Sequence, residues 1–429
     1  MNFLEQEIAK NERRIKHIVE NPDPTKLESN KLFFECQREL RTSQLRAWRE
    51  GRPIAYYVGG FLEGLLRALG CEIIDKELIV NRLVAYPQLL TATKQFLEAE
   101  GYSEFICDRS LYPIGLALQG ELPPPSLILY SNGTCLPAGM ANLTIGQFFD
   151  VPIYTIDVPF ETPNEETISY VAKQFAEFVR WAEKEVPGVR FDEKKLVELH
   201  QADCKYMEYL HDIYEIKKRI PCPLLARDAF REESLPSYYP DPKKVLGWAK
   251  EVRDELYERA EKGIGLPAVE KLRVAWVSSG VPIYDPALFD LLEERNVTIP
   301  VMIHGQTSRL YRVNCPEYGD LTQYGRKLTL FEEAARLYHF TWSGQANHWI
   351  EDILSLARDQ KVDAMICFWP RGCIPILGAA KLLRERVERD LGIPVFEFEG
   401  GLIDPSGYDK ARVHERLVEF IDMSILEKS

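Results

Sequence analysis

Three cysteines far apart in the chain are the residues best placed to do chemistry. Cys107 opens Cys107-Asp108-Arg109-Ser110-Leu111-Tyr112. Cys135 closes Ser131-Asn132-Gly133-Thr134-Cys135 after the apolar run Leu127-Ile128-Leu129-Tyr130, and Cys373 ends Trp369-Pro370-Arg371-Gly372-Cys373 after Ala364-Met365-Ile366-Cys367-Phe368. Each stands where a predicted strand or loop hands over to a helix. The carboxyl ends of strands are where α/β sheets place ligands. Thiolates are soft donors suited to iron–sulfur chemistry. Helix amino termini, with their positive partial charge and unpaired N–H groups, would stabilise both thiolates and a reduced cluster. Three thiols from separate units can therefore converge on one iron–sulfur cubane, leaving one iron open to a non-cysteine ligand.

On spacing alone, strand-end cysteines favour core packing. What distinguishes these is their neighbours: Gly133-Thr134 before Cys135 and Pro370-Arg371-Gly372 before Cys373 let backbone approach a bulky inorganic group. Cys367 lies inside a predicted strand, Cys36 and Cys204 inside helices, and Cys71 at the start of a strand. Cys222 and Cys315, each followed by proline, are secondary candidates. No Cys-x-x-Cys pair and no His-Glu-x-x-His motif marks a zinc site. His304 and His348 read as structural histidines. Neither a Walker-type phosphate loop nor a full dinucleotide fingerprint is present, since Gly59-Gly60 lacks the third glycine. Any ATP hydrolysis coupled to this chain therefore falls to another protein.

The elements that must position the cysteines follow from periodicity and punctuation. Glu5–Val19 reads as a charged helix ended by Pro22 and Pro24, and Asn30–Glu50 as an amphipathic helix stopped by Gly51. Strands are predicted at 53–58, 71–74, 127–130 and 153–157, with helices at 61–69, 86–101 and 138–149. This alternation signals a parallel sheet with crossover helices. Residues 165–262 read as mostly helical. A second alternating block has strands at 273–277, 298–303, 364–368 and 395–398 and helices at 286–295, 331–338, 348–360, 376–391 and 408–426. Pro300 marks its strand as an edge. The expected fold is α/β, with two Rossmann-like or flavodoxin-like parallel-sheet lobes. The expected segments are a helical N-terminus over 1–50, a first lobe over 51–164, a helical connection over 165–265 and a second lobe over 266–429.

At 429 residues the chain is long enough for two or three lobes, and 45% hydrophobic with 28% charged residues is a globular composition. A net charge of −13 argues against a general nucleic-acid binder. No apolar run is long enough for a membrane span, and the first residues lack the pattern of a signal peptide, so a cytoplasmic protein is expected. Nine cysteines, an odd number, make a poor disulfide framework.

At these motifs the chain resembles the 2-hydroxyacyl-CoA dehydratase / benzoyl-CoA reductase family, from about Arg49 to the C-terminus. Gly51-Arg52-Pro53-Ile54-Ala55-Tyr56-Tyr57-Val58 with Gly59 to Cys71 resembles the family's opening strand, turn and helix. Cys107-Asp108-Arg109-Ser110 resembles its first cysteine segment. Thr134-Cys135 followed by Val151 to Pro159 resembles the second cysteine and its strand. Arg371-Gly372-Cys373 with Gly392 to Gly400 resembles the third.

The resemblance implies a 4Fe–4S cluster on Cys107, Cys135 and Cys373. It implies a paralogous cluster-bearing subunit or a second copy of the chain, an acyl-CoA substrate, and a separate ATP-hydrolysing activator with its own iron–sulfur cluster. One electron added to the thioester gives a ketyl-type radical anion, leading to reductive dearomatisation of a ring or loss of an α-hydroxyl. Glu63 is the implied proton donor, with a helix N-terminal carboxylate as its structural counterpart. Arg109 and Arg371 are candidates to hold CoA phosphate or added negative charge, against salt bridges as the alternative. Leu136-Pro137-Ala138-Gly139 stands where dehydratase subunits usually carry Asp-Gly and lysines, which leans the expectation toward benzoyl-CoA reductase-type chemistry, with a 2-hydroxyacyl-CoA dehydratase subunit as the alternative. Gly120 to Pro125 occupies the stretch where double-cubane relatives place a further cysteine. From another class, the chain would be a non-catalytic electron-transfer or scaffold subunit of such a complex.

Overall fold

A computed structural model describes residues 2–58, 62–133, 135–161, 164–229, 241–264, 269–303, 346–428 and the isolated positions 330, 334 and 337. His304 and Cys315 lie outside the described residues, as does most of the helix expected at 331–338. Two four-stranded parallel sheets organise the described residues. The α/β expectation with a helical N-terminal region holds.

The chain opens with α1 (Phe3–Glu20) and α2 (Asn30–Glu50), which pack on each other. Asn2 and Glu5 close a reciprocal capping box at the start of α1. Gly51, at φ 65, ends α2 in the left-handed conformation that glycine adopts without penalty.

The first sheet contains β1 (Ile54–Val58), β2 (Glu72–Asp75), β3 (Leu127–Ser131) and β4 (Ile153–Ile156), in the order β2-β1-β3-β4. β1 and β3 are buried at every position, as central strands covered on both faces must be. Between the strands run α3 (Glu63–Ala68), α4 (Lys76–Ile79), a 3₁₀ turn over Val80–Ala85, α5 (Pro87–Ala99), α6 (Asp108–Leu118) and α7 (Leu136–Phe149). The short helical run from Lys76 to Ala85 was not expected, because pieces this short carry no readable period.

Helices α8 (Glu165–Glu185), α9 (Glu193–Ile216), α10 (Ala226–Ala229) and α11 (Pro242–Lys262) follow. α9 packs on α11 and on α3.

The second sheet holds β5 (Leu272–Val277), β6 (Val297–Ile303), β7 (Ala364–Pro370) and β8 (Val395–Gly400), in the order β6-β5-β7-β8. β6 is an edge strand, as Pro300 foretold. The register gains one residue there, passing from Arg273↔Thr298 to Ala275↔Val301. Around this sheet lie α12 (Ala287–Glu294), α13 (Ala346–Asp359), α14 (Ile374–Leu377), α15 (Ala380–Asp390) and α16 (Lys410–Lys428). The single helix expected over 376–391 starts earlier and breaks at Gly378, which caps α14. Among the described residues no helix is long and apolar enough to cross a membrane.

Candidate functional site

Each of the three cysteines is the N-cap residue of a helix: Cys107 for α6, Cys135 for α7 and Cys373 for α14. The two sheets deliver two of them by the same route. In each lobe the chain runs from the first strand out to one edge, then returns to the far side of that first strand. The gap between β1 and β3, and between β5 and β7, is thus a topological switch point, where the helices on either side diverge. Cys135 follows β3 and Cys373 follows β7.

Contacts between the lobes bring Cys107 to the same place. A Cβ on Gly372 would stand 2.4 Å from the Cys107 backbone nitrogen, so the Cys373 loop passes directly against the start of α6. Asp108 Oδ2 accepts from Ile403 N at 2.8 Å and Asp404 N at 3.0 Å. Arg109 Nη1 donates to Ser279 O at 2.9 Å. The Tyr112 hydroxyl and Asp404 Oδ2 are 3.1 Å apart, and Lys94 Nζ lies 3.0 Å from the same oxygen. A carboxylate accepting two backbone amides is a strong, directional link.

The three thiols are electrostatic neighbours. Burial pushes the Cys107 thiol well up, with Asp108, Cys373, Glu77 and Cys135 adding to it. Burial raises Cys135 to about 12, helped by Glu77 and Cys373. Burial also raises Cys373, against the Ser279 hydroxyl 3.5 Å from its sulfur and the nearby charge of Arg109. The amides of Ala138 and Ile376, third in α7 and α14, favour thiolates without closing capping bonds. Thiols in this environment stay protonated when nothing is bound, and a cationic inorganic centre would release their protons. Among the described residues no group of three His, Cys, Asp or Glu side chains closes on a single metal ion. A cubane asks something different, because each cysteine then holds its own iron and the sulfurs stand farther apart.

Four other described cysteines lie apart from this cluster. Cys36, Cys71, Cys222 and Cys367 are buried in the core. Cys222 Sγ lies 3.7 Å from Leu224 O. Cys204 lies in α9 and His348 in α13.

Glu63 opens α3, with the Tyr57 hydroxyl 3.3 Å from Oε1, and its charge acts on Arg67 and Asp75. Arg109 is buried against Gly280, and its Nε and Nη2 have no hydrogen-bond partner among the described residues. Arg371 is exposed and donates to Ser406 O, in a cleft it shares with Lys94, Tyr112 and Asp404.

Sequence reasoning missed Lys76 and Glu77. Glu77 influences all three thiols and accepts from Ser110 Oγ at 2.9 Å. The available signal was Asp75-Lys76-Glu77, consecutive charges at the carboxyl end of an apolar strand.

A family model described as "2-hydroxyglutaryl-CoA dehydratase, D-component" matches residues 62–424. The chain belongs to this family. An (R)-phenyllactyl-CoA dehydratase alpha subunit from Clostridium sporogenes is 20% identical over 395 residues, covering 90% of this chain and 92% of that protein. The alpha subunit of (R)-2-hydroxyglutaryl-CoA dehydratase from Acidaminococcus fermentans is 23% identical over 310 residues, or 71% of this chain and 61% of the relative. An (R)-2-hydroxyisocaproyl-CoA dehydratase alpha subunit from Clostridioides difficile is 25% identical over 182 residues, 41% of this chain and 44% of that subunit. These family relatives are dehydratase subunits, so the lean toward an aromatic reductase drawn from residues 136–139 is not carried forward.

Proposed function

We propose that this chain is the cluster-bearing subunit of an activator-dependent 2-hydroxyacyl-CoA dehydratase, with Cys107, Cys135 and Cys373 as the ligands of a 4Fe–4S cluster. What supports this reading is that three helix-capping thiols from two lobes lie within electrostatic range of one another in a member of a dehydratase family. Close backbone passage at Gly372 and the facing amides suit a thiolate-bound inorganic group. When bound, the cluster supplies one-electron chemistry at the thioester.

The chain's own residues have distinct parts in this reading. The free N–H groups of Arg109 stabilise negative charge beside Cys373. Glu63 holds and returns a proton, and Glu77 is a carboxylate whose charge reaches all three thiols. Arg371 secures the cleft between the lobes and, in this reading, a CoA phosphate. Phe105, Ile106, Leu136, Met140, Ile374 and Leu377 are exposed apolar side chains close in sequence to the three cysteines. A second, related subunit covering this rim would exclude water from the reacting thioester. Electrons come from a separate activator that hydrolyses ATP and carries its own cluster.

The test is anaerobic purification with iron and sulfide analysis, alone and with co-expressed paralogous subunit and activator. The reading expects iron and sulfide on this chain and ATP-dependent dehydration of a 2-hydroxyacyl-CoA. Turnover of benzoyl-CoA but no hydroxyacyl-CoA would restore the reductase reading. Protein that takes up no iron even on reconstitution would overturn both.

A further inference from the structure

Lys76 is the least explained group beside the cysteines. It directly follows β2 and is fully buried, 0% exposed. Its Nζ has no hydrogen-bond partner among the described residues. A buried ammonium without a partner is costly, and folded proteins keep one only where something compensates it. Glu77 and Asp75 are its strongest charge neighbours, yet neither forms a hydrogen bond with Nζ. Asp75 Oδ1 accepts from Glu77 N and Leu78 N, both at 3.0 Å, and Glu77 Oε1 accepts from Ser110 Oγ at 2.9 Å. That last bond ties the residue after Lys76 to the first turn of the Cys107 helix, and α4 packs against α6. Cys135 and Cys107 are both electrostatic neighbours of the ammonium.

We propose that Lys76 is a counter-cation built into the floor of the three-cysteine site, donating an N–H to the anionic group the cysteines hold and drawing its reduction potential upward. The inference rests on the iron–sulfur reading above. Three features support it: full burial, an unfilled donor, and two thiols among its charge neighbours. One electron from the donor protein makes the held group one unit more negative. A fixed positive charge in a low-dielectric floor stabilises that reduced form more than the oxidised one. The chain thereby eases an otherwise demanding reduction.

The experiment compares the wild-type chain with Lys76→Met and Lys76→Arg. Each is purified iron-free, melted, reconstituted anaerobically with iron and sulfide, and titrated spectro-electrochemically. Lys76→Met is expected to lower the reduced-to-oxidised ratio at fixed potential at least tenfold, about 59 mV for a one-electron couple. Lys76→Arg is expected to recover most of that loss. The iron-free Lys76→Met chain is expected to melt no lower than wild type, because no hydrogen bond of the fold is removed. If Lys76→Met does not accumulate as folded protein, Lys76→Gln carries the same comparison with a neutral donor. A wild-type potential in the neutral variant, or a lower iron-free melting point that Arg restores, would assign Lys76 to the fold and end this inference. Either result would leave the cysteine site standing. A wild-type chain that accepts no iron would end the parent reading too.

Discussion

In both sheets a cysteine caps the helix that leaves the third strand, Cys135 after β3 and Cys373 after β7. The two lobes then diverge. The first adds Cys107 from the long excursion between β2 and β3, and it brings charge to the thiols from the buried Lys76 and the half-buried Glu77. The second supplies mainly hydroxyl and backbone: Ser279 beside Cys373, the carbonyl that receives Arg109, and the amides of residues 403 and 404 that hold Asp108. One topology thus yields an electrostatic half and a positioning half. The difference teaches that a switch point offers a place for a ligand, while the chemistry comes from what each lobe inserts there.

The strongest way to break this comparison is to remove ligands from each side. Cys107→Ser, Cys135→Ser and Cys373→Ser should each lower iron affinity by roughly 100-fold or more, read by iron content after desalting. Cys36→Ser should leave iron content unchanged. Equal retention of iron in all four would remove the shared site.

Next in size is Gly372→Ala. Its φ of 73 and the 2.4 Å approach to Cys107 N mean that backbone, not a flexible side chain, must yield. A loss of about 3 kcal/mol or more in denaturant unfolding is expected. Gly133→Ala in the first lobe meets the Val158 side chain at 2.9 Å and should cost about 1 kcal/mol. A reversed order would contradict the view that Gly372 seats one lobe on the other.

Asp108→Ala should cost about 2 kcal/mol and accelerate iron loss, because two backbone amides between the lobes lose their acceptor. Asp108→Asn keeps an acceptor oxygen and should recover most of it.

The last effect concerns pH in the iron-free chain, and its sign differs between the lobes. Burial raises the Asp75 carboxyl from 3.8 to about 7, with Glu77 adding to it. The folded state therefore binds the extra proton, and first-lobe stability falls as pH rises from about 4 to about 7. Burial also opposes ionisation at Asp404, but hydrogen bonds from Ser406 and Lys94 win and hold its carboxyl below the usual value. That contribution is present above the unfolded carboxylate pKa and is lost as pH falls through the lower folded value. Melting curves should show Asp75→Asn flattening the neutral limb and Asp404→Asn the acid limb. The same slope in both variants would refute the distinction.

Much of this organisation was legible in the residues. Asn30–Glu50 ran from a proline-broken stretch to Gly51, and α2 has those bounds. Alternating apolar runs marked all eight strands, and Pro300 marked an edge. The cysteine loops were legible through their glycines and prolines. The turn of helix from Lys76 to Ala85 was not, since four-residue pieces depend on neighbours rather than period. Nor was the break at Gly378, where an apolar and charged pattern continued across two helices.

The sequence by itself determined the lobes, their strands and the three thiols set apart by context, because periodicity and turn chemistry are local. Only the tertiary structure decided that Cys107 meets Cys373 across a glycine, that Asp108 spans to residues 403 and 404, and that Lys76 and Glu77 lie at the thiols. Those relations join positions up to some three hundred residues apart, fixed by which faces bury against each other and which buried polar groups must find partners.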